Sequence, residues 1–217
     1  MRRAAAAVLL LAIIGIAYWA YSDYKKRQLQ DAVLALVTDA TAQVRGALQA
    51  PDFHAGEPDR LESHFKALGS ATQRLSGLDG WRNAPLADAA QQYLDEAHAL
   101  LRRLMALQRA RDAALGGVNA ITEHIRAARG RSSDWIRDAI ALRQQMDRDY
   151  FDYRLAEGGL QKSLQTLPEA RSRLAPLAAA TPLIDDRPIA EARSRLTAQS
   201  AQLARQVEAA RILPAPR

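Results

Sequence analysis

The apolar pattern of the chain begins with one uninterrupted segment. Residues 4–21, AAAAVLLLAIIGIAYWAY, are eighteen positions without a charge, directly after Arg2 and Arg3. A helix of this length spans about 27 Å, close to the ~30 Å hydrocarbon thickness of a bilayer. The segment therefore predicts a single transmembrane helix that binds the lipid bilayer through 4–21, within an anchor region at 1–27.

Two other interpretations of this segment stay open. A cleaved signal peptide ends its short apolar region in small residues, and Gly15 and Ala17 would serve, but the apolar run continues past them. A buried core helix would carry polar positions on one face, and none occurs between Arg3 and Ser22. The uncleaved anchor is favoured because aromatic residues typical of the membrane interface follow, at Tyr18, Trp19, Tyr21 and Tyr24.

The orientation of the anchor depends on its basic flanks. Two arginines precede the segment, and Lys25, Lys26 and Arg27 follow it, so the positive-inside rule weighs the two sides almost equally. A tail of three residues before a first apolar helix most often stays in the cytoplasm. No second apolar run of membrane length follows. We therefore expect a single-pass protein of the bacterial inner membrane with its domain in the periplasm.

Beyond this segment, apolar residues recur at steps of three and four, the spacing of helices that pack on one another. The pattern predicts that the first helix continues to about Ala50 and that others follow near 59–78, 86–129, 133–167 and 188–211. Pro168 permits a new helix to begin. The predicted fold is all-α, with the N-terminal transmembrane helix followed by an elongated antiparallel bundle of about five helices.

The same pattern divides the chain into three parts. They are the anchor at 1–27, the helical bundle domain at 28–182, and a C-terminal helix with a frayed tail at 183–217. Two glycine pairs, Gly116–Gly117 and Gly158–Gly159, fall inside predicted helices. Because each glycine costs about 1 kcal/mol relative to alanine, something should offset it. A kink, a close helix crossing or a partner surface would each do so.

Charge and composition narrow the function classes. The net charge is +6, but residues 1–27 hold five Lys/Arg and one Asp, whereas the remaining 190 hold 25 against 23 acids. Such mixed charge indicates solvated helix faces rather than a nucleic-acid surface, so no nucleic-acid partner is expected. The absence of cysteine excludes disulfides, thiolate metal sites and cysteine nucleophiles.

The residues with potential chemistry form no recognisable active site. The four histidines, at 54, 64, 98 and 124, lack the spacing that places two metal ligands on one helix face. The acidic pairs Asp95–Glu96 and Asp185–Asp186 are adjacent and point apart on a helix. Nucleophile and phosphate-loop motifs are missing from the sequence. We therefore expect no enzyme, no metal and no cofactor.

One local motif lies at Arg148–Leu155, RDYFDYRL. Five of its positions match the RxxFDYxL signature: Arg148, Phe151, Asp152, Tyr153 and Leu155. The segment resembles the lipase-specific foldases, which are membrane-anchored periplasmic chaperones of secreted lipases. The resemblance covers eight residues, and Arg154 and Ala156 depart from the usual continuation. It implies a chaperone that uses these residues toward a client. The alternative from the residues themselves is that Tyr150 and Tyr153 pack in the helical seam while Arg148 and Asp152 form a surface pair.

The function expected from these observations is protein binding at the inner membrane. A tethered domain with long helical seams suits an accessory or assembly subunit that contacts other envelope proteins. Candidate partner-binding residues are the five motif positions and Trp81, which lies in a loop rich in glycine and proline. Two alternatives remain. A folding chaperone predicts that Phe151 and Tyr153 are exposed, and a helical ligand-sensing domain predicts a cavity between helices near Gly116–Gly117 or Gly158–Gly159. Homo-oligomerisation stays open.

Overall fold

The structure is a computed structural model of the chain. Its described residues form helices and contain no strand. The backbone is described for residues 2–51, 53, 58–78, 84–127 and 132–212, and side chains for the same residues except 2–13, 58, 61, 64, 84 and 212. The helices are α1 (Arg2–Gln49), α2 (Pro58–Ser76), α3 (Ala84–Arg126), α4 (Ser133–Leu174) and α5 (Asp186–Ile212). The all-α prediction is confirmed.

The most extensive helix pairing among the described residues is an antiparallel hairpin formed by α3 and α4, which contain 43 and 42 residues. Arg103 donates a hydrogen bond to Ser163 near the middle of the pair. At the tip, the ring nitrogens of His124 and Trp135 bond to each other's backbone carbonyl oxygens. The two helices therefore run in opposite directions and lie side by side over a length of roughly 60 Å.

The other helices pack along the first half of α3. The Thr41 hydroxyl of α1 lies 2.8 Å from the buried Tyr93 hydroxyl of α3. Phe65 of α2 stacks on His98 with ring centroids 4.9 Å apart. The fifth helix runs antiparallel to α4 and ends where Arg211 binds Asp147. Among the described residues, α3 and α4 extend past this end of α5 to the contact between His124 and Trp135.

The opposite end of the protein is the exposed beginning of α1. No residue from Ile14 to Ala32 is buried, and Val33 is the first residue of α1 that belongs to the core. From there the core is built largely from leucine and alanine. Such small and medium side chains let the helices lie close together, which explains why so few aromatic residues suffice.

One described glycine marks a close contact between two helices. A Cβ added at Gly117 would lie 3.0 Å from the Met146 Cα of α4. The close crossing proposed for the first glycine pair is therefore present at Gly117. A Cβ at Gly116 or Gly158 would meet nothing within 4 Å, and one at Gly159 would make only ordinary contact with Arg103.

Arg195 of α5 closes the C-terminal end of α1. Its guanidinium donates to the carbonyl oxygens of Leu48, Gln49 and Ala50, with the last of these bonds at 2.8 Å. These are carbonyls that no later turn of the helix can satisfy. The same guanidinium lies 5.1 Å from the ring centroid of Phe53, which is buried although its φ of 55° is unusual for a non-glycine residue.

The expectation that a new helix begins at Pro168 is wrong, because α4 continues through this residue to Leu174. Proline has no N–H with which to bond the carbonyl oxygen four residues earlier, at Leu164. In the folded protein, Arg193 of α5 donates to that oxygen at 2.5 Å. A side chain distant in sequence thus satisfies the group that the proline leaves unpaired.

Because Arg193 supplies the donor that Pro168 lacks, the effects of mutating these two residues on stability should be coupled. Arg193→Met should lower the free energy of unfolding by about 1 kcal/mol, because the Leu164 carbonyl loses its donor. In a Pro168→Ala background the loss should shrink, since the alanine introduced there supplies the missing N–H. Chemical denaturation of the four full-length proteins in mild detergent measures the coupling. Arg187→Met, at an exposed ion pair with Glu191, is the control, and additive effects would contradict the explanation.

The transmembrane prediction rests on residues that are only partly described. Among the described residues, no helix combines the length and apolar character needed to cross a bilayer. Side chains 4–13, which supply more than half of the predicted span, lie outside the described residues.

Candidate functional site

The motif at 148–155 lies on α4, and the helix directs its residues into two environments. Phe151 and Leu155 are exposed, with 62% and 61% of their surface open to solvent. Arg148 and Asp152 are exposed as well. Tyr153 is among the largest fully buried side chains. The motif does not form one surface, because residues two apart on a helix differ in direction by about 200°.

Tyr153 belongs to the core between α4 and its neighbours. Its ring lies parallel to that of Tyr150, with centroids 6.3 Å apart. Burial raises the pKa of Tyr153, and a hydrogen bond with Ser200 of α5 opposes part of that rise. The alternative in which both tyrosines pack in the seam is confirmed, since Tyr150 also packs against the core. Tyr153 therefore has almost no accessible surface to offer a partner in this structure.

A buried polar cluster supports the inner side of the motif. Glu157 is 4% exposed, and Arg154 donates to it and to Ser200 of α5 at 2.5 and 2.9 Å. A carboxylate without such partners would be costly in the core, so this pairing accounts for its presence there. Arg154 thus joins α4 to α5 beside the exposed residues.

The surface pair expected between Arg148 and Asp152 does not form. Arg148 instead donates to the side-chain oxygen of Gln145 at 2.7 Å. Within the described residues, Asp152 makes no ion pair. Within the described residues, the outer side of the motif therefore presents two apolar side chains, the unpaired carboxylate of Asp152, and an arginine bonded to a neutral side chain.

The edge of this exposed surface is set by α5. Arg211 donates two hydrogen bonds to Asp147, at 2.7 and 2.9 Å. Its guanidinium also lies 6.0 Å from the ring centroid of Tyr150. The Asp147 carboxylate, one turn before Phe151, is thus occupied by an arginine of the same chain, whereas Asp152 is not.

The remaining predicted site residues lie elsewhere. Trp81 falls outside the described residues. The four aromatic residues assigned to the membrane interface lie on the projecting part of α1 and are between 60% and 71% exposed: Tyr18, Trp19, Tyr21 and Tyr24. Lys25 lies 5.9 Å from the ring centroid of Tyr21. The structure therefore places the interface residues and the motif residues on separate parts of the molecule.

The two histidines with described side chains have structural contacts. His98 stacks on Phe65, and burial lowers its pKa, with Arg102 adding to the effect. His124 stacks on Trp135 with centroids 5.1 Å apart. No cluster of three metal-binding side chains occurs among the residues that the structure describes.

Two polar clefts lie beside the core. One, of about 320 Å³, lies between α3 and α4; the other, of about 200 Å³, lies between α4 and α5. The first is lined by Gln92, Asp95, Glu96, Thr166, Glu169, Ala170 and Arg173. Neither cleft is at the glycine pairs, where the ligand-sensing alternative predicts a cavity. Gly117 lies against Met146 instead.

Comparisons with protein-family models, with curated proteins and with solved structures found no match. The likeness to the lipase-specific foldases therefore consists of the eight residues of the motif.

Two residues outside the motif share its exposed face and were not among the predicted site residues. Gly158 and Lys162 are exposed and lie seven and eleven residues after Phe151, which returns them to its side of the helix. The spacing was readable from the sequence. Their exposure was not, because it depends on where α5 covers α4.

Proposed function

We propose that this chain is a membrane-anchored, extracytoplasmic helical protein that binds other proteins, as an accessory or assembly subunit of a complex in the bacterial inner membrane. The observation that carries the proposal is the continuity of α1, which runs from Arg2 to Gln49 without a break. The charge-free segment 4–21 and the core residues after Val33 belong to one helix. Because a continuous helix is stiff, it would hold the bundle at a fixed distance from the bilayer.

The exposed part of α1 supports this arrangement. Its interfacial aromatic residues end at Tyr24, the first described side chain that packs against the core is Leu29, and the first buried residue is Val33, about 13 Å beyond Tyr24 along the helix axis. A bundle placed just above a membrane has a high effective concentration toward membrane partners. The proposal assigns the bundle to the periplasmic side and assigns no catalytic chemistry to it.

The anchor predicts how the protein behaves on extraction. The full-length protein, expressed in bacteria, should stay with the membrane pellet after an alkaline carbonate wash and dissolve only in detergent, because a spanning helix buries about 18 residues in hydrocarbon. Immunoblots of the fractions measure the partition. Leu10→Arg with Ile13→Arg should release the protein by interrupting the apolar segment, whereas Leu34→Arg, beyond the segment, should not. Release of the wild-type protein by carbonate would contradict the anchor.

Partner binding has a direct test. Purification of the full-length protein from its native membrane in mild detergent should yield a stoichiometric complex, whose other members name the pathway. A protein that elutes alone and monomeric would contradict the accessory-subunit function.

A folding chaperone is the second candidate, and one observation favours it. Phe151 and Leu155 offer apolar surface at matched positions of the foldase-like motif. If this candidate is right, Phe151→Ala should reduce the yield of active secreted lipase from co-expressing cells while leaving the helical content of the protein unchanged.

A further inference from the structure

An apolar patch on α4 lacks a partner within the described chain. It consists of Phe151, Leu155 and Gly158, which fall within about 60° of one another around the helix axis at 100° per residue. The core-facing residues of the same turns, Tyr153 and Leu160, point to the opposite side and are buried. Two large apolar side chains that stay more than 60% exposed on an ordered helix indicate a contact surface rather than a core position.

Gly158 gives this patch its shape. A glycine inside a helix costs about 1 kcal/mol relative to alanine. No packing within the described chain requires Gly158, because a Cβ there would meet nothing within 4 Å. Gly117 shows the contrast, since its missing Cβ lets Met146 approach. An exposed glycine next to two large apolar residues leaves a shallow notch, into which the side chain of a second helix can insert.

Cationic side chains lie at both ends of the patch. Arg148 precedes Phe151 by one turn, and Lys162 follows Gly158 by one turn. Neither makes an ion pair within the described residues, and the hydrogen bond of Arg148 there is to the neutral Gln145. One exposed acid, Asp152, lies at the side of the patch, about 60° around the helix from Leu155 and not at either end. The two ends of the patch therefore present unneutralised cations.

This charge pattern distinguishes between occupants. In a two-fold pairing of two copies centred near Leu155, Arg148 of one copy would oppose Lys162 of the other, and like charges directly opposed are unfavourable. A helix with apolar residues on one face and carboxylates on its flanks would bury Phe151 and Leu155 and would pair both cations. Charge complementarity thus favours an acidic helix over a second copy of this chain.

The position of the patch separates it from the proposed membrane. Arg154, beside the patch, contacts Ser200 of α5. Arg195, five residues earlier in α5, caps the C-terminal end of α1. The patch therefore lies beyond that end, whereas the apolar segment 4–21 is at the other end of α1. A bilayer that holds the segment does not reach the patch.

We propose that the face of α4 formed by Arg148, Phe151, Leu155, Gly158 and Lys162 binds an amphipathic helix of a partner protein whose apolar stripe is flanked by Asp or Glu. This inference rests on the proposed protein-binding function and specifies its site and the chemistry of its partner. The partner helix lies across the notch at Gly158 and places its carboxylates against Arg148 and Lys162.

The test uses two synthetic peptides and the full-length protein in nanodiscs of neutral phosphatidylcholine. The peptides, of roughly 20 residues, share one stripe of leucines and carry either Glu or Lys on the flanks. Fluorescence anisotropy should show the Glu peptide binding at least about tenfold more tightly than the Lys peptide. Phe151→Ala should weaken binding of the Glu peptide by about tenfold, the scale for losing one buried aromatic contact.

Matched variants separate binding from folding. Gly158→Gln should weaken binding yet raise the thermal midpoint, because it fills the notch and improves helix propensity. Gly116→Gln, at the other glycine with open space around it, should raise the midpoint and leave binding unchanged. Leu177→Ala, at an exposed apolar position beyond the end of α4, should also leave binding unchanged. Arg148→Glu combined with Lys162→Glu should reverse the preference toward the Lys peptide.

Several results would overturn the proposal. Equal binding of the two peptides, or no binding of the Glu peptide, would remove the acidic partner. Binding of phosphatidylglycerol vesicles that Phe151→Ala abolishes would make the patch a membrane surface. A dimer in sedimentation that the same variant dissociates would make it a self-association surface. If a native complex co-purifies equally well with the Phe151→Ala protein, the proposed function stands and the patch does not; if no complex forms with the wild type, the proposed function itself fails.

Discussion

Tyr153→Ala is expected to lower the free energy of unfolding by about 3–5 kcal/mol, the range for removing a fully buried aromatic side chain. Tyr153 is 1% exposed, and its loss leaves a cavity between α4 and α5. A different result is expected at the exposed motif residue Phe151. Phe151→Ala should change the free energy of unfolding by less than about 0.5 kcal/mol, as surface substitutions do. Urea unfolding of the full-length protein in mild detergent, followed by circular dichroism, measures both.

The pair serves as its own control, because both changes remove an aromatic ring within one turn of the same helix. Equal losses at the two positions would show that Phe151 is buried and that the proposed patch does not exist. The expected asymmetry also decides how the motif is tested for function. A loss of activity in Tyr153→Ala would report unfolding, whereas a loss in Phe151→Ala would report a lost contact.

Gly117→Ala is expected to lower the free energy of unfolding by about 1–2 kcal/mol. The new Cβ would lie 3.0 Å from Met146 Cα and 3.2 Å from Met146 Cβ, so two long helices must move apart. Overpacking of this kind costs about 1–3 kcal/mol, and the gain in helix propensity of up to about 1 kcal/mol offsets only part of it. The same urea titration measures the loss.

Gly116→Ala is the matched control and should have the opposite sign. Its Cβ would meet nothing within 4 Å, so the change should raise stability by about 0.5–1 kcal/mol through helix propensity. Two neighbouring glycines would then differ by about 2 kcal/mol in their response to one methyl group. Stabilisation by both substitutions would mean that α3 and α4 do not approach each other closely at Gly117.

The sequence by itself determined the helices of this protein and most of their bounds. Apolar residues three and four apart define the buried side of each helix, because a helix repeats every 3.6 residues whatever it packs against. That rule placed Tyr150 and Tyr153 in the seam, where Tyr153 is buried and Tyr150 packs against the core. Pro51 in turn predicts the end of α1 at about Ala50, which is within a residue of the observed end at Gln49.

The candidate site was only partly accessible to such reasoning. The motif at 148–155 was found as a pattern of residue types, and such a pattern does not distinguish exposed members from buried ones. Helical geometry separates Phe151 from Tyr153, and the position of α5 decides which side of α4 stays open. Gly158 and Lys162 point in the same direction around the helix axis as Phe151 and therefore share its face, whereas Tyr153 points to the opposite side.

Tertiary structure alone decided three features, each through a contact between residues distant in the chain. Pro168 lies inside α4 because Arg193 supplies the hydrogen bond that proline cannot. Gly117 is needed because the backbone at Met146 lies against it, while Gly116 has open space. Phe151 and Leu155 are exposed because α5 and α3 cover other sides of α4. Periodicity fixes the direction of each side chain within its own helix, but only packing determines which helix, if any, lies on that side.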